Sequence, residues 1–386
     1  MAYEAVIGLE CHIQVASRTK MFCGCPAGFG STANSTVCPV CLGLPGALPV
    51  ANALAIEATA RLGLALGCEV REESVFARKN YFYPDMPKNY QISQYDRPLC
   101  EGGSLAVAFE TGTRSFALTR IHIEEDTGKS FHPERQGDRR VSRVDFNRAG
   151  VPLMELVTDP VFRAAHECAA FLTDLRRLVR WLGISGGDME KGQLRCDANV
   201  SLRPVGATAL GTKTELKNLN SIKGVEKGVV AEIERQRRVL EDGGRIEQAT
   251  LLYDADHDKL AIMRSKEHAH DYRYFPEPDL PTVRLSRATI EAARGRLPEL
   301  PWQAEARLAE LAIGDELRSI LVADRAHVER FDALVAAGCA PRFAARVVAN
   351  WELARVNSGA IALERLEEVM PAAAVAVLAR REAAGE

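Results

Sequence analysis

Residues 193–203 alternate without a break. Leu194, Cys196, Ala198, Val200 and Leu202 fall on one side of an extended chain, and Gln193, Arg195, Asp197, Asn199, Ser201 and Arg203 on the other. The spacing predicts a strand with one buried face. Its other face carries Arg, Asp, Asn and Ser, which hold anions, metals and hydroxyls directionally; a plain solvated face reads the same way when it stands alone. Residues 3–15 repeat the pattern, with Leu9, Cys11, Ile13 and Val15 opposite Glu10, His12 and Gln14. Short strand signals run from about 104 to 157 and return at 212–217. Helical periodicity marks an Ala/Leu-rich segment over 52–66. A second helix opens at Asp159-Pro160, carries Cys168, Phe171, Leu172, Leu175, Leu178, Val179 and Leu182 on its stripe, and ends at Gly183. A third, charged helix is built on Val225, Val229 and Ile233 and closes at Gly243-Gly244.

The segment Pro276-Glu277-Pro278-Asp279-Leu280-Pro281 punctuates the chain, and beyond it Ala, Leu, Glu and Arg dominate. The expected class is therefore α+β: a sheet-based domain over 1–285, then an all-α helical domain over 286–386. At 386 residues the chain is too long for one small core. Its hydrophobic content of 47% and charged content of 26% are those of a globular protein. A net charge of −3 gives no global pull toward nucleic acid or anionic lipid. The first residues lack the basic and apolar segments of a signal peptide, and no stretch nears the ~18 apolar residues of a spanning helix. The expectation is a cytoplasmic protein without a membrane partner, whose ten cysteines are thiols or metal ligands.

Three sets of residues carry candidate chemistry. Cys23-Gly24-Cys25 and Cys38-Pro39-Val40-Cys41 flank a Gly/Asn/Ser-rich loop, a spacing that suits tetrahedral thiolate coordination of a structural zinc ion. Four reduced thiols or a redox pair share that spacing. The acidic set is Glu10 with His12, the run Glu124-Glu125-Asp126, and Asp197. Hard oxygen ligands with an occasional imidazole suit Mg²⁺, provided the strands are neighbours; alone, Glu124-Glu125-Asp126 is also a solvated turn. The basic set is Lys79, Lys88, Arg148, Arg195, Lys213 and Lys217, able to hold phosphate or carboxylate oxygens or simply to face solvent. Gly128-Lys129-Ser130 imitates the end of a phosphate-binding P-loop, but Ile123 stands where that motif needs glycine. Any ATP use must come from another fold, and an open antiparallel sheet with a polar concave face would serve.

Longer motifs add a resemblance. Val144-Asp145-Phe146-Asn147-Arg148-Ala149-Gly150-Val151-Pro152-Leu153-Met154-Glu155-Leu156 resembles the signature of the B-type subunits of the tRNA-dependent amidotransferases, the GatB family. Gly8 to His12, the Cys23–Cys41 loop, Tyr83 to Asp96, Glu190 to Ser201, Gly211 to Asn220 and Met263 to Pro276 agree with it. The resemblance implies an antiparallel-sheet cradle similar to glutamine synthetase and guanidino kinases, then a helical domain, then a small tail domain that contacts tRNA. The sequence stops at Glu386, about where that tail would begin, so the expectation is a chain without it.

The same resemblance implies an activity. ATP phosphorylates the side-chain carboxylate of mischarged Glu-tRNA(Gln) or Asp-tRNA(Asn), and ammonia then displaces phosphate. It implies Glu10, His12 and Glu125 as Mg²⁺ ligands with Glu124 and Asp197 in support, Arg195, Lys213, Arg148 and Lys217 around phosphate or substrate, and Lys79, Asp85 and Lys88 at an ammonia-channel exit. The chain has no glutaminase motif of its own. Ammonia is therefore expected from a partner, the A-type amidase subunit, held by a small C-type subunit in a heterotrimer. Two rivals are a paralogue amidating a free amino acid or peptide carboxylate, and a non-catalytic zinc-bearing scaffold.

Overall fold

The computed structural model describes residues 2–131, 141–254, 257, 259–265, 272–362 and 365–384. Part of the Met263 to Pro276 motif, residues 266–271, lies outside them. The chain forms two compact units, Met1–Leu297 and Pro298–Glu386.

The first unit is built on a ten-stranded sheet. Its strands are β1 (Tyr3–Gln14), β2 (Glu69–Val70), β3 (Cys100–Glu101), β4 (Ser104–Phe109), β5 (Gly112–Glu125), β6 (Pro152–Thr158), β7 (Leu194–Pro204), β8 (Thr214–Leu219), β9 (Ala249–Asp254) and β10 (Lys259–Ser265). They lie in the order β10-β9-β8-β7-β1-β6-β5-β3-β2, with β4 hairpinned onto β5. All pairings are antiparallel except β8 with β9, which run parallel; the long helix between them makes that crossover possible. The sheet is thus mixed rather than purely antiparallel.

One sheet face is dry. Ile7, Leu9, Cys11 and Ile13 of β1 and Ala198 and Val200 of β7 have no solvent exposure. Helices α2 (Ala165–Trp181) and α3 (Ile222–Glu241) pack together, and α3 also packs on β7 and β8. The α2 stripe of Cys168, Phe171, Leu172, Leu175 and Leu178 is fully buried. Asp159-Pro160 lies five residues ahead of the helix: Glu167 accepts hydrogen bonds from the Arg163 and Ala164 amides and so sets the start. Gly183 (φ +65°) and Gly243 (φ +76°) end α2 and α3 in the left-handed conformation expected of them. Helix α1 (Ala53–Ala65) is capped by the Asn52 side chain, and α4 (Arg287–Gly295) packs against α1 within the same unit. The expected divide at 285/286 therefore precedes α4, whereas the compact units part after it.

The second unit contains only helices among its described residues: α5 (Pro301–Ala309), α6 (Asp315–Leu321), α7 (Arg325–Ala336), α8 (Pro341–Arg346), α9 (Leu353–Asn357), α10 (Leu366–Val369) and α11 (Ala372–Ala384). A π-turn over Val347–Glu352 joins α8 to α9. It presents the buried Glu352 to the Arg330 guanidinium at 2.6 Å, a charge pair inside the bundle. Among the described residues of the whole chain, no helix is long and apolar enough to cross a membrane.

Candidate active site and thiolate cluster

The other face of the sheet is polar, and strand register assembles it. His12 on β1 stands opposite Arg195 on β7 and Glu155 on β6, and Glu155 stands opposite His122 on β5. The neighbouring row sets Glu10 opposite Asp197. Alternation then brings Glu124, two residues beyond His122, onto the same side. The result is a cluster in which single ligand atoms of His12, Glu124 and Glu155 lie within 4.8 Å of one another. His12 Nε2 is 3.3 Å from Glu155 and 3.8 Å from Glu124; His122 Nε2 is 3.5 Å and 3.7 Å from the same carboxylates.

The electrostatics follow from burial. Desolvation alone would depress the His12 pKa, but the Glu155 hydrogen bond and the charges of Glu155, Glu124 and Asp197 outweigh it and raise it to about 9. Glu155 is held well below the usual carboxylate range: its burial works the other way, and His122, His12 and Lys79 overcome it. Glu10 goes up, first through burial and then through Glu155, Glu215 and Asp197. Two carboxylates that stay ionised suit a small hard cation, which would displace the His12 proton on taking that imidazole as a ligand.

Around this cluster lies a cleft of about 350 Å³ lined by Glu10, His12, Glu155, Asp197 and Asn199 from the sheet, Lys213, Glu215 and Lys217 near β8, and Lys79, Tyr272 and Tyr274 from outside it. Lys217 bridges Asp197 (2.7 Å) and Glu215 (3.0 Å). The Lys79 ammonium lies 4.8 Å from the Tyr272 ring centroid, and the charge of Glu124 offsets its burial. Lys213 is exposed, with no ion-pair partner among the described residues. The cleft thus gathers Glu10, His12, Asp197, Lys79, Lys213 and Lys217 from the expected set, and Glu124 joins it through the cluster with His12 and Glu155.

Other expected residues stand elsewhere. Glu125 falls on the opposite side of β5 by alternation, buried, where it pairs with Lys88 and accepts the Ile92 amide at 2.9 Å. Arg148 spends its guanidinium on the Thr127 and Gly128 carbonyls, at 2.9 and 2.7 Å. Arg195 is on the polar face but turns to Asp126, at 2.7 Å, a buried carboxylate that Gln14 also reaches. Asp85 is half-buried; its backbone carbonyl accepts the Gly128 amide, and burial raises its carboxyl pKa. Sequence reasoning passed over Glu155 and His122. A signal existed: Glu155 is the lone ionisable group of β6, and His122 stands between two isoleucines, and buried charges need partners.

The cysteines form a second centre. Cys23, Cys25, Cys38 and Cys41 converge, with Sγ–Sγ separations from Cys41 of 3.4, 3.7 and 3.6 Å. A tetrahedral ion with metal–sulfur bonds near 2.3 Å sets its sulfurs about 3.8 Å apart, so the four thiols fit a zinc-sized ion. Hydrogen bonding from Cys23 lowers the Cys41 pKa well below the thiol range, and the Lys20 ammonium helps. Lys20 is itself 1% exposed, 3.5 Å from Cys41 Sγ and 3.2 Å from the Phe146 carbonyl.

Comparison with known proteins places the chain. The profile of the GatB/GatE catalytic domain matches residues 5–291. The B-type subunit of the aspartyl/glutamyl-tRNA(Asn/Gln) amidotransferase from Anaeromyxobacter sp. (strain Fw109-5) is 47% identical over 385 residues, covering 99% of this chain and 79% of its own. Proteins of the same name from Solidesulfovibrio magneticus (48% over 361 residues; 93% and 75%) and Chlorobium chlorochromatii (55% over 309 residues; 80% and 64%) are similar too. The chain belongs to the GatB/GatE catalytic-domain family.

Proposed function

We propose that the polar sheet face is an ATP- and Mg²⁺-dependent carboxylate-activating site, and that the chain acts as the B-type subunit of a tRNA-dependent amidotransferase. The first unit then serves as a cradle of the glutamine synthetase and guanidino kinase kind, with the helical unit following it. The observation that carries this reading is the convergence of His12, Glu124 and Glu155 beside Glu10, Asp197 and the lysines of the cleft. Phosphoryl transfer asks for positioning and cations more than covalent help. A Mg²⁺ ion held by His12, Glu124 and Glu155 would neutralise phosphate charge.

The reaction runs in two steps. A side-chain carboxylate oxygen of the mischarged aminoacyl group attacks the γ-phosphorus of ATP, the β–γ bridging P–O bond breaks, and ADP leaves. Ammonia then attacks the acyl carbon, the bond from that carbon to the phosphate oxygen breaks, and hydrogen phosphate leaves with the proton that ammonia gives up. Lys213 and Lys217 lie where they can draw in phosphate oxygens, while Arg195 and Arg148 pair with Asp126 outside the cleft's lining. Lys79 lines the cleft on the side of Tyr272 and Tyr274, where the substrate carboxylate or incoming ammonia would meet it. Lys88 and Asp85, outside the cleft's lining, are the other candidates along an ammonia path. Glu125, paired with Lys88, holds that wall together in this reading.

Ammonia would come from a partner amidase, with a small third protein completing the heterotrimer in the cytoplasm. Cys23, Cys25, Cys38 and Cys41 would hold a structural zinc, whose closed tetrahedral shell has no position for substrate. The test is reconstitution with the candidate amidase and its small companion. ATP-dependent amidation of mischarged tRNA supports the reading; activity on free glutamate or aspartate without tRNA, or none with either, overturns it.

A further inference from the structure

Arg120 lines the cleft beside the His12–Glu124–Glu155 cluster, and no group of the protein answers its charge. It stands two residues before His122 on β5, so alternation sets both on the polar face. Register places Glu101 of β3 on one side of it and Val157 of β6 on the other. Glu101 is already taken: its carboxylate pairs with the Arg71 guanidinium at 2.5 Å. Val157 has nothing to offer a charge. The Arg120 side chain is half-buried, and its Nε is buried with no hydrogen-bond partner. Among the described residues it makes no side-chain hydrogen bond or ion pair.

The contrast with the other cations of this face is sharp. Lys217 is held by Asp197 and Glu215, and Arg195 and Arg148 by Asp126. Lys213 is unpaired as well, but it is exposed and water satisfies it. A guanidinium stays charged at any working pH and has only donors to offer. Keeping one partly desolvated and unanswered costs free energy, and that cost points to an anion arriving from outside.

Position says which anion. Lys213 and Lys217 lie near β8, four strands from β5, about 19 Å along the sheet. The cluster spans β1, β6 and β5, so Arg120 stands at its far end from those lysines. One end of the cleft therefore offers lysines to phosphate, and the other offers Arg120 and Lys79. A reaction that brings two anions together at one cation needs two such ends.

We propose that Arg120 is a catalytic residue that binds the side-chain carboxylate of the mischarged aminoacyl group. The inference rests on the amidotransferase reading above and adds the group that receives the acyl substrate. One carboxylate oxygen meets the guanidinium, which leaves the other to attack phosphorus. The held oxygen is the one the product keeps. It becomes the carbonyl oxygen of the acyl phosphate and gains negative charge as ammonia adds, so the same guanidinium serves both steps. In the amide product that oxygen is neutral, the charge-assisted bond is gone, and the grip weakens.

The test uses the chain assembled with the partner amidase and its small companion. Arg120→Met removes the charge and keeps the stem; Arg120→Lys keeps the charge and loses the fork. The expected result is kcat/KM for mischarged tRNA lowered at least about a hundredfold in Arg120→Met and about tenfold in Arg120→Lys, with MgATP affinity unchanged in both. An unchanged kcat/KM in both variants overturns the assignment. A parallel loss of MgATP affinity overturns it as well, because Arg120 would then be a phosphate ligand. If Arg120→Met does not fold, Arg120→Lys decides. Wild-type MgATP affinity and melting temperature with the tenfold loss support the assignment; activity that falls only in step with folded protein makes Arg120 structural and overturns it. A wild-type assembly that amidates no mischarged tRNA overturns the amidotransferase reading itself, and the inference with it.

Discussion

The cysteine loop and the sheet-face cluster are both candidate metal centres, yet they are made in opposite ways. The four thiols come from one stretch of 19 residues, Cys23 to Cys41, and a short loop brings them together. His12, Glu124 and Glu155 come from three strands far apart in sequence, joined only by the pairings β1–β6 and β6–β5. The loop needs no register; the cluster is nothing but register. A one-residue slip of β6 would send Glu155 into the helix-covered core. Stability should therefore dominate the response of the first centre, and chemistry that of the second.

The largest effect should come from breaking the loop. Cys41→Ser removes the thiol nearest the other three, and with it a structural ion whose binding energy is folding energy. The expected outcome is loss of zinc and a fall in melting temperature, with ATP-dependent activity falling only as folded protein is lost. Metal analysis and calorimetry on purified protein check it. No zinc in the wild type, or an unchanged melting curve, removes the distinction between the centres.

Lys88 sharpens the comparison because it lies between the two. It packs beside Gly43 of the cysteine loop, 5.8 Å from the Phe22 ring centroid, and pairs with Glu125 at the end of β5. Both side chains are nearly dry, at 7% and 4% exposed. Lys88→Met should cost about 3–5 kcal/mol in denaturant unfolding, because it strands a buried carboxylate. Lys88→Met with Glu125→Leu should recover much of that. If the double variant is instead fully stable but inactive, Glu125 acts in the chemistry and the wall role assigned to it is wrong.

A smaller effect is expected at Lys20. Lys20→Met should weaken zinc retention against a chelator by roughly 10–100-fold, the usual range for a group just outside the ligand shell. ATP binding at the sheet face should not change. A variant that affects both equally would mean that the two centres share one electrostatic unit.

The same contrast explains what could be read from the sequence. Alternation in β1 and β7 located two walls of the cleft and named Glu10, His12, Arg195 and Asp197, because period two is a local property. The thiol spacing is local too. The choice between Glu124 and Glu125 is not: adjacent residues on a strand face opposite ways, and only the pairing of β5 with β6 says which one meets His12. Glu155 sat inside a motif already noticed, but its role depends on standing opposite both His12 and His122. Arg148 and Arg195 show a further limit. Their charge was legible, while the carbonyls and the Asp126 carboxylate that occupy them were not. The helix starting at Ala165 rather than at Asp159-Pro160 has a similar origin, since the Glu167 cap reaches back only three to four residues.

The central claim is that His12, Glu124 and Glu155 form one cation site serving ATP. It is tested most directly by Mn²⁺ binding, read by electron paramagnetic resonance with ATP present, on the wild-type chain and on Glu155→Gln. Glu155→Gln keeps the size of the side chain and removes the charge. The expected result is tight Mn²⁺ binding by the wild type and at least about a hundredfold weakening in the variant, equivalent to roughly 2.7 kcal/mol, measured below the melting transition of both proteins. Equal Mn²⁺ affinity in the two proteins would contradict it.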